Sequence, residues 1–169
     1  MCYLFRQVTA PIIALLLLFA VSAVHAQLTP TIAQIECIGF DYPMTETVIV
    51  PINVNRLALP LRATLRDESG GIVTSSDLGD YPPIVQVFYY PGEDVPDDAI
   101  WSEEIVQDIH DDASNEGNEF VYMSTSLEWH FNLSARNYKA RGTYRIYMAA
   151  QGETYQIEPT CMAEFVRTK

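Results

Sequence analysis

The chain has 169 residues, and its 22 acidic side chains outnumber 10 basic ones for a formal charge of −12. A field of that sign repels phosphate backbones and anionic membrane surfaces, which argues against nucleic acid as a partner. Asp67 to Glu128 concentrates the imbalance, with 16 Asp or Glu and no Lys or Arg, although solubility alone accounts for such a tract.

At the N-terminus Arg6 precedes an apolar stretch from Ile12 to Val21, and Val24-His25-Ala26 offers small or tolerated residues before Gln27. Positive charge, short apolar core and small-residue site, in that order, predict a secretory signal over residues 1–26. The apolar core is too short to span a membrane comfortably; the competing reading is an anchor that is never cleaved. Cys2 lies ahead of the apolar core, so it does not match a lipid-accepting cysteine. The expected mature product, residues 27–169, is one soluble domain, secreted or periplasmic, with no membrane attachment after cleavage.

Cys37 and Cys161 are the cysteines left in that product. In an oxidising compartment an even pair reads first as a disulfide, with free thiols or half of a metal site as the alternatives. Neither cysteine belongs to a CxxC pair and no His is near either in sequence, which disfavours zinc.

Ile35 to Phe40 is the first strand candidate. Leu57, Leu59, Leu61, Ala63 and Leu65 then alternate with Arg56, Ala58, Pro60, Arg62, Thr64 and Arg66, the period that a strand with one buried face requires. Pro60 cannot donate to a ladder, which predicts an edge position or a break. Asp67-Glu68-Ser69-Gly70-Gly71 reads as a turn, with Ile72 to Thr74 pairing back across it. Pro82-Pro83 introduces Ile84 to Tyr90, whose near-continuous apolarity suits a central strand. Farther on, Leu127, Trp129, Phe131 and Leu133 share one face of a strand, and after Gly142 so do Tyr144, Ile146 and Met148. Thr154 to Ile157 and Met162 to Val166 complete the set. Seven or eight short strands with turns between them predict an all-β chain folded as a β-sandwich.

The stretch from Glu93 to Glu119 is ambiguous. Ile100 or Trp101, Ile105 and Ile109 recur about every four residues, and Pro96 suits a first helical turn. A short helix over 97–109 and an extended acidic loop packed by the same residues both fit this pattern.

Arg56-Leu57-Ala58-Leu59-Pro60-Leu61-Arg62-Ala63 followed by Asp67-Glu68-Ser69-Gly70-Gly71 resembles bacterial extracellular modules of the PxKF type, named for a Pro-x-Lys-Phe strand. Pro82-Pro83-Ile84-Val85-Gln86-Val87 and Glu116-Gly117-Asn118-Glu119-Phe120 follow in family order. Trp129-His130-Phe131-Asn132-Leu133, Gly142-Thr143-Tyr144-Arg145-Ile146 and Glu158-Pro159-Thr160-Cys161 continue the series, so the likeness runs from Cys37 to Val166. Arg62 and Ala63 stand where the naming motif has Lys and Phe. The resemblance implies an immunoglobulin-like sandwich, an exported location and no catalytic residues.

No GxSxG elbow, HExxH helix, P-loop or GxGxxG appears, and the histidines after the signal are His110 and His130 alone. The sequence therefore predicts no enzyme. Asp111, Asp112, Ser114, Asn115, Glu116 and Asn118 supply many oxygen donors, the ligand type calcium prefers. An EF-hand alignment from Asp112 places Gly117 at position six but Met123 at position twelve, where a Glu is required. Asp111, Asp112 and Glu116 remain candidates for a calcium loop of another kind, against the plainer reading of solvated acid; no other cofactor is implied. Tyr89, Tyr90 and Trp101 border the acidic stretch, and rings beside carboxylates suit a sugar, although filling the core is their more ordinary use. Tyr144 beside Gly142 has the position of a buried corner tyrosine. Asn132-Leu133-Ser134 matches a glycosylation sequon that matters only in a eukaryotic host.

The sequence thus predicts a structural or adhesive module binding a protein or carbohydrate ligand. A hydrolase, or an inhibitor of one, acting through the acidic 93–119 loop is the alternative.

Overall fold

Alternation of apolar and polar residues produces strands, and strands with one greasy face must pair their faces. A computed structural model describes residues 33–54, 57–104 and 117–169. Among them the elements run β1 (Ala33–Phe40), β2 (Val48–Pro51), β3 (Ala58–Asp67), a helical turn α1 (Ser75–Leu78), β4 (Ile84–Tyr90) and β5 (Ser102–Glu104). They continue with β6 (Val121–Met123), β7 (Glu128–Ser134), a 3₁₀ turn (Ala135–Asn137), β8 (Gly142–Ala149), β9 (Tyr155–Ile157) and β10 (Met162–Thr168). The protein is all-β, with five strands in each of two sheets, ordered β6-β7-β3-β1-β9 and β2-β10-β8-β4-β5.

The inner faces of both sheets feed one hydrophobic core. Leu59, Leu61, Ala63 and Leu65 of β3 and Trp129, Phe131 and Leu133 of β7 are buried from the first sheet, as their alternation predicts. Val85, Val87, Tyr144, Ile146, Met148 and Phe165 are buried from the second. The Tyr144 and Phe165 rings stack at 4.8 Å, and the Trp129 indole donates to the Val73 carbonyl at 2.9 Å, so its one polar atom is satisfied.

Four expectations change. β3 is an interior strand, not an edge; Pro60 is accommodated because it pairs with Asn132 of β7 where the β1 ladder on the other side has already ended. Ile72 makes a single bridge to Arg66 in place of a strand from Ile72 to Thr74. Leu127 belongs to the β6–β7 turn at φ 61° and is exposed instead of extending the buried row of β7. In the 93–119 stretch no helix covers 97–104: Ser102–Glu104 pairs with β4, and Ile100 is 89% exposed, so it packs no helical stripe. Residues 105–116 lie outside the described residues.

Two of the corners that carry the chain between sheets are those after β1 and after β9. β1 belongs to the first sheet and β2 to the second; the loop between them, residues 41–47, buries Met44 to 2% exposure. At the other end β9 lies parallel to β1 and β10 lies against β8. Between them, Glu158 N–H donates to Ile35 O at 2.8 Å and Cys37 N–H to Pro159 O at 3.1 Å. Two residues later Met148 N–H donates to Cys161 O at 3.1 Å, on the opposite sheet. The Cys37–Cys161 disulfide (Cα–Cα 5.3 Å) sits at this crossing, buried at both ends.

Arg167 is buried at the far end of β10, where its Nη1 and Nη2 donate to Pro51 O and Ile52 O at 3.0 and 3.2 Å. The short edge strand β2 is thereby tied to β10 by side chain as well as ladder.

Candidate functional site

On the outer face of the second sheet, β8 presents Thr143, Arg145 and Tyr147, and β10 presents Glu164, whose register partner is Arg145. Arg145 Nε and Nη2 both donate to Glu164 Oε1, at 2.8 and 2.7 Å. The guanidinium lies 4.2 Å from the centroid of the Trp101 ring, a cation–π contact that holds the segment after β4 against the sheet. Trp101 in turn meets Tyr90 with ring centroids 5.8 Å apart.

The loop after β4 is anchored at its root by β8. Thr143 Oγ1 donates to Gly92 O at 2.7 Å. Gly142 has φ 142°, and a Cβ there would stand 2.2 Å from Tyr90 O, so this approach of two backbones admits only glycine. Arg141 Nη2 reaches Glu93 Oε1 at 3.3 Å. Both of those side chains are half-exposed, which makes their pair a weak fastener.

Between this loop and the sheet lies a cleft of about 500 Å³, walled by Glu93, Asp94, Asp97, Trp101, Arg145 and Glu164. Thr47, the last residue of the β1–β2 loop, closes one side. Four carboxylates against one guanidinium give hydrogen-bond acceptors in excess, and Arg145 is already engaged by Glu164. The arrangement suits hydroxyl or amine donors on a ligand.

The residues singled out from sequence divide. Cys37 and Cys161 are joined. Asp111, Asp112 and Glu116 lie outside the described residues, as does His110. Trp101 lines the cleft with Tyr90 behind it, but Tyr89 does not: its ring packs on Tyr144 at 4.9 Å and its hydroxyl donates to Arg141 O at 2.8 Å. Tyr144 is the corner tyrosine its position predicts, 2% exposed, with its hydroxyl donating to Ala140 O at 3.0 Å. Burial pushes the Tyr144 phenol well above the ordinary range, so it stays neutral.

A second constellation was not legible in sequence. On the outer face of the first sheet, His130 of β7 pairs with Arg62 of β3, and Asp41 N–H donates to Arg62 O at 2.8 Å. His130 Nε2 lies 2.8 Å from Glu128 Oε2 and 3.2 Å from Ser126 Oγ, and the bond to His130 holds the Glu128 carboxyl below its usual range. His130 is outward as expected, yet half-buried and paired rather than freely solvated.

Among the described residues no three His, Cys, Asp or Glu side chains are disposed to hold a metal ion, and no helix is long and apolar enough to cross a membrane. No family model, no curated protein and no solved structure matches the chain.

Proposed function

We propose that this is an exported, non-enzymatic binding module, an immunoglobulin-like sandwich whose ligand site is the cleft between the 93–97 loop and the outer face of β8 and β10. The observation that carries the reading is the cleft itself: rich in acceptors and braced by Arg145 on Trp101. Export is supported by the order of Arg6, the Ile12–Val21 run and Val24-His25-Ala26, and by the buried disulfide. The corner tyrosine supports the immunoglobulin likeness, as do the two packed sheets. The ligand is a protein or a carbohydrate that offers donors to the carboxylate wall.

A panel of glycans and of short peptides, neutral and basic, tests the reading by calorimetric titration. Binding that weakens at least tenfold in Glu164→Gln and in Asp97→Asn, with melting temperature held, supports it. A ligand whose affinity is indifferent to both changes places the site elsewhere. Turnover of any panel member would overturn the non-enzymatic reading.

A further inference from the structure

β8 is paired on both sides, through Gly142–Tyr147 with β10 and through Thr143–Ala149 with β4. Its outward residues are Thr143, Arg145, Tyr147 and Ala149, and register sets them into rows across the sheet. Val166, Thr143 and Tyr90 make one row, Glu164, Arg145 and Phe88 the next, and Met162, Tyr147 and Gln86 the third. The cleft draws on the first two rows. A second hollow, of about 360 Å³, draws on the third. Gln86, Tyr147 and Ala149 line it together with Gln156, Ile157 and Glu158 from the β9–β10 corner. Arg145 and Tyr147 are next but one along the strand, so about 7 Å of β8 separates the two linings.

We infer that, given the cleft as the ligand site, the ligand is a linear glycan carrying free amino groups, laid along β8 through both hollows. A peptide strand recognises a sheet by pairing with an open edge, and β8 has none to offer. What this face presents is side chains. Phe88 and Tyr147 brace each other edge to face with ring centroids 5.7 Å apart, a fixed apolar surface for the C–H side of a sugar ring. Gln86 and Gln156 carry amides, which both donate and accept, as sugar hydroxyls do. Thr143 to Ala149 spans about 20 Å, room for several sugar units in a row.

The charge of the cleft asks for more than hydroxyls. Arg145 and Arg141 are taken up by Glu164 and Glu93, and among the described residues no cation answers Asp94 or Asp97. An ammonium group entering there is attracted without first displacing an internal partner. A glycan with amines along an otherwise neutral chain meets the rings and the carboxylates together.

Calorimetric titration with linear glucosamine oligomers, a dimer and a hexamer, in mildly acidic buffer tests this, with the fully N-acetylated hexamer as the uncharged match. The hexamer should bind at least tenfold more tightly than the dimer, and tenfold more tightly than its acetylated match. Tyr147→Ala and Gln86→Ala should each remove most of the advantage of length while leaving the dimer's affinity unchanged. Asp97→Asn should weaken both lengths. Gln86→Ala decides the matter if Tyr147→Ala does not fold. Equal affinity for the two lengths, or for the charged and acetylated hexamers, overturns the inference, as does failure of every oligomer to bind. A peptide that binds instead, and weakens in Glu164→Gln and Asp97→Asn, leaves the cleft as the site and overturns only the ligand class assigned to it. If no ligand shows that dependence, the cleft reading falls as well.

Discussion

Cys37 on the first strand of one sheet is bonded to Cys161 at the foot of the last strand of the other, across a separation of 124 residues. The bond stands where the chain changes sheets, so it fixes a corner and shortens the unfolded chain at once. Closure of a loop that long is worth about 5 kcal/mol in the chain-entropy model. The Cys37→Ser, Cys161→Ser double variant should therefore lose most of its resistance to urea. Intact mass of the parent chain under non-reducing conditions should show no free thiol at either position.

Tyr144→Phe removes one buried hydroxyl and leaves its ring stacked on Phe165. The Ala140 carbonyl then has no side-chain donor. A loss of about 1–2 kcal/mol is expected, read as a lower urea midpoint at unchanged slope. A variant as stable as the parent would mean that the corner bond contributes nothing net.

Gly142→Ala asks more of the backbone. It sets a methyl group 2.2 Å from the Tyr90 carbonyl at a φ of 142°. Loss of about 3 kcal/mol or more is expected, together with loosening of the loop that Thr143 anchors. Exchange protection at Gly92, whose amide donates to Tyr90 O at 2.9 Å, should fall with it.

Arg145→Lys keeps the charge beside Glu164 but not the planar group over Trp101. An ammonium cannot present two donors to Glu164 and a flat face to the indole together. A cost of about 1 kcal/mol is expected. Trp101 emission should shift to the red and become more open to quenching by acrylamide; an unmoved spectrum would show that the stacking does not hold the loop.

Calcium offers a separate check on Asp111, Asp112 and Glu116. If that stretch is solvated acid, melting is the same in EDTA and in millimolar calcium. A rise with calcium that magnesium does not reproduce, and that Asp112→Ala abolishes, would instead assign a metal-ordered loop.

Long alternating runs are legible in the sequence alone. The inward rows of β3, β7 and β8 each repeat a two-residue period over three or more apolar positions, and no other arrangement buries them. β2, β5 and β6 escape because three or four residues carry no period, and the partner of β2, β10, lies far along the chain. A bulge in β1 at Ile38 and Gly39 escapes for a related reason: an inserted residue leaves composition unchanged and only reverses which side faces water. Trp101 and the acidic wall of the cleft are visible as composition. Arg145 and Glu164 are not, since they meet only through the register of β8 with β10. An outward Arg and an outward Glu on two amphipathic strands are the available signal.

The lacing of the strands bears on how the chain acquires its shape. β10 lies between β2 and β8, inside its sheet and not at the margin, while β9 completes the side of β1. Until the final residues arrive, the second sheet is split in two and β2 has no neighbour at all. A chain made N-terminus first therefore cannot complete this sheet before β10 is free. Closing that sheet and bringing Cys161 to Cys37 both await β10, which begins at the residue after Cys161.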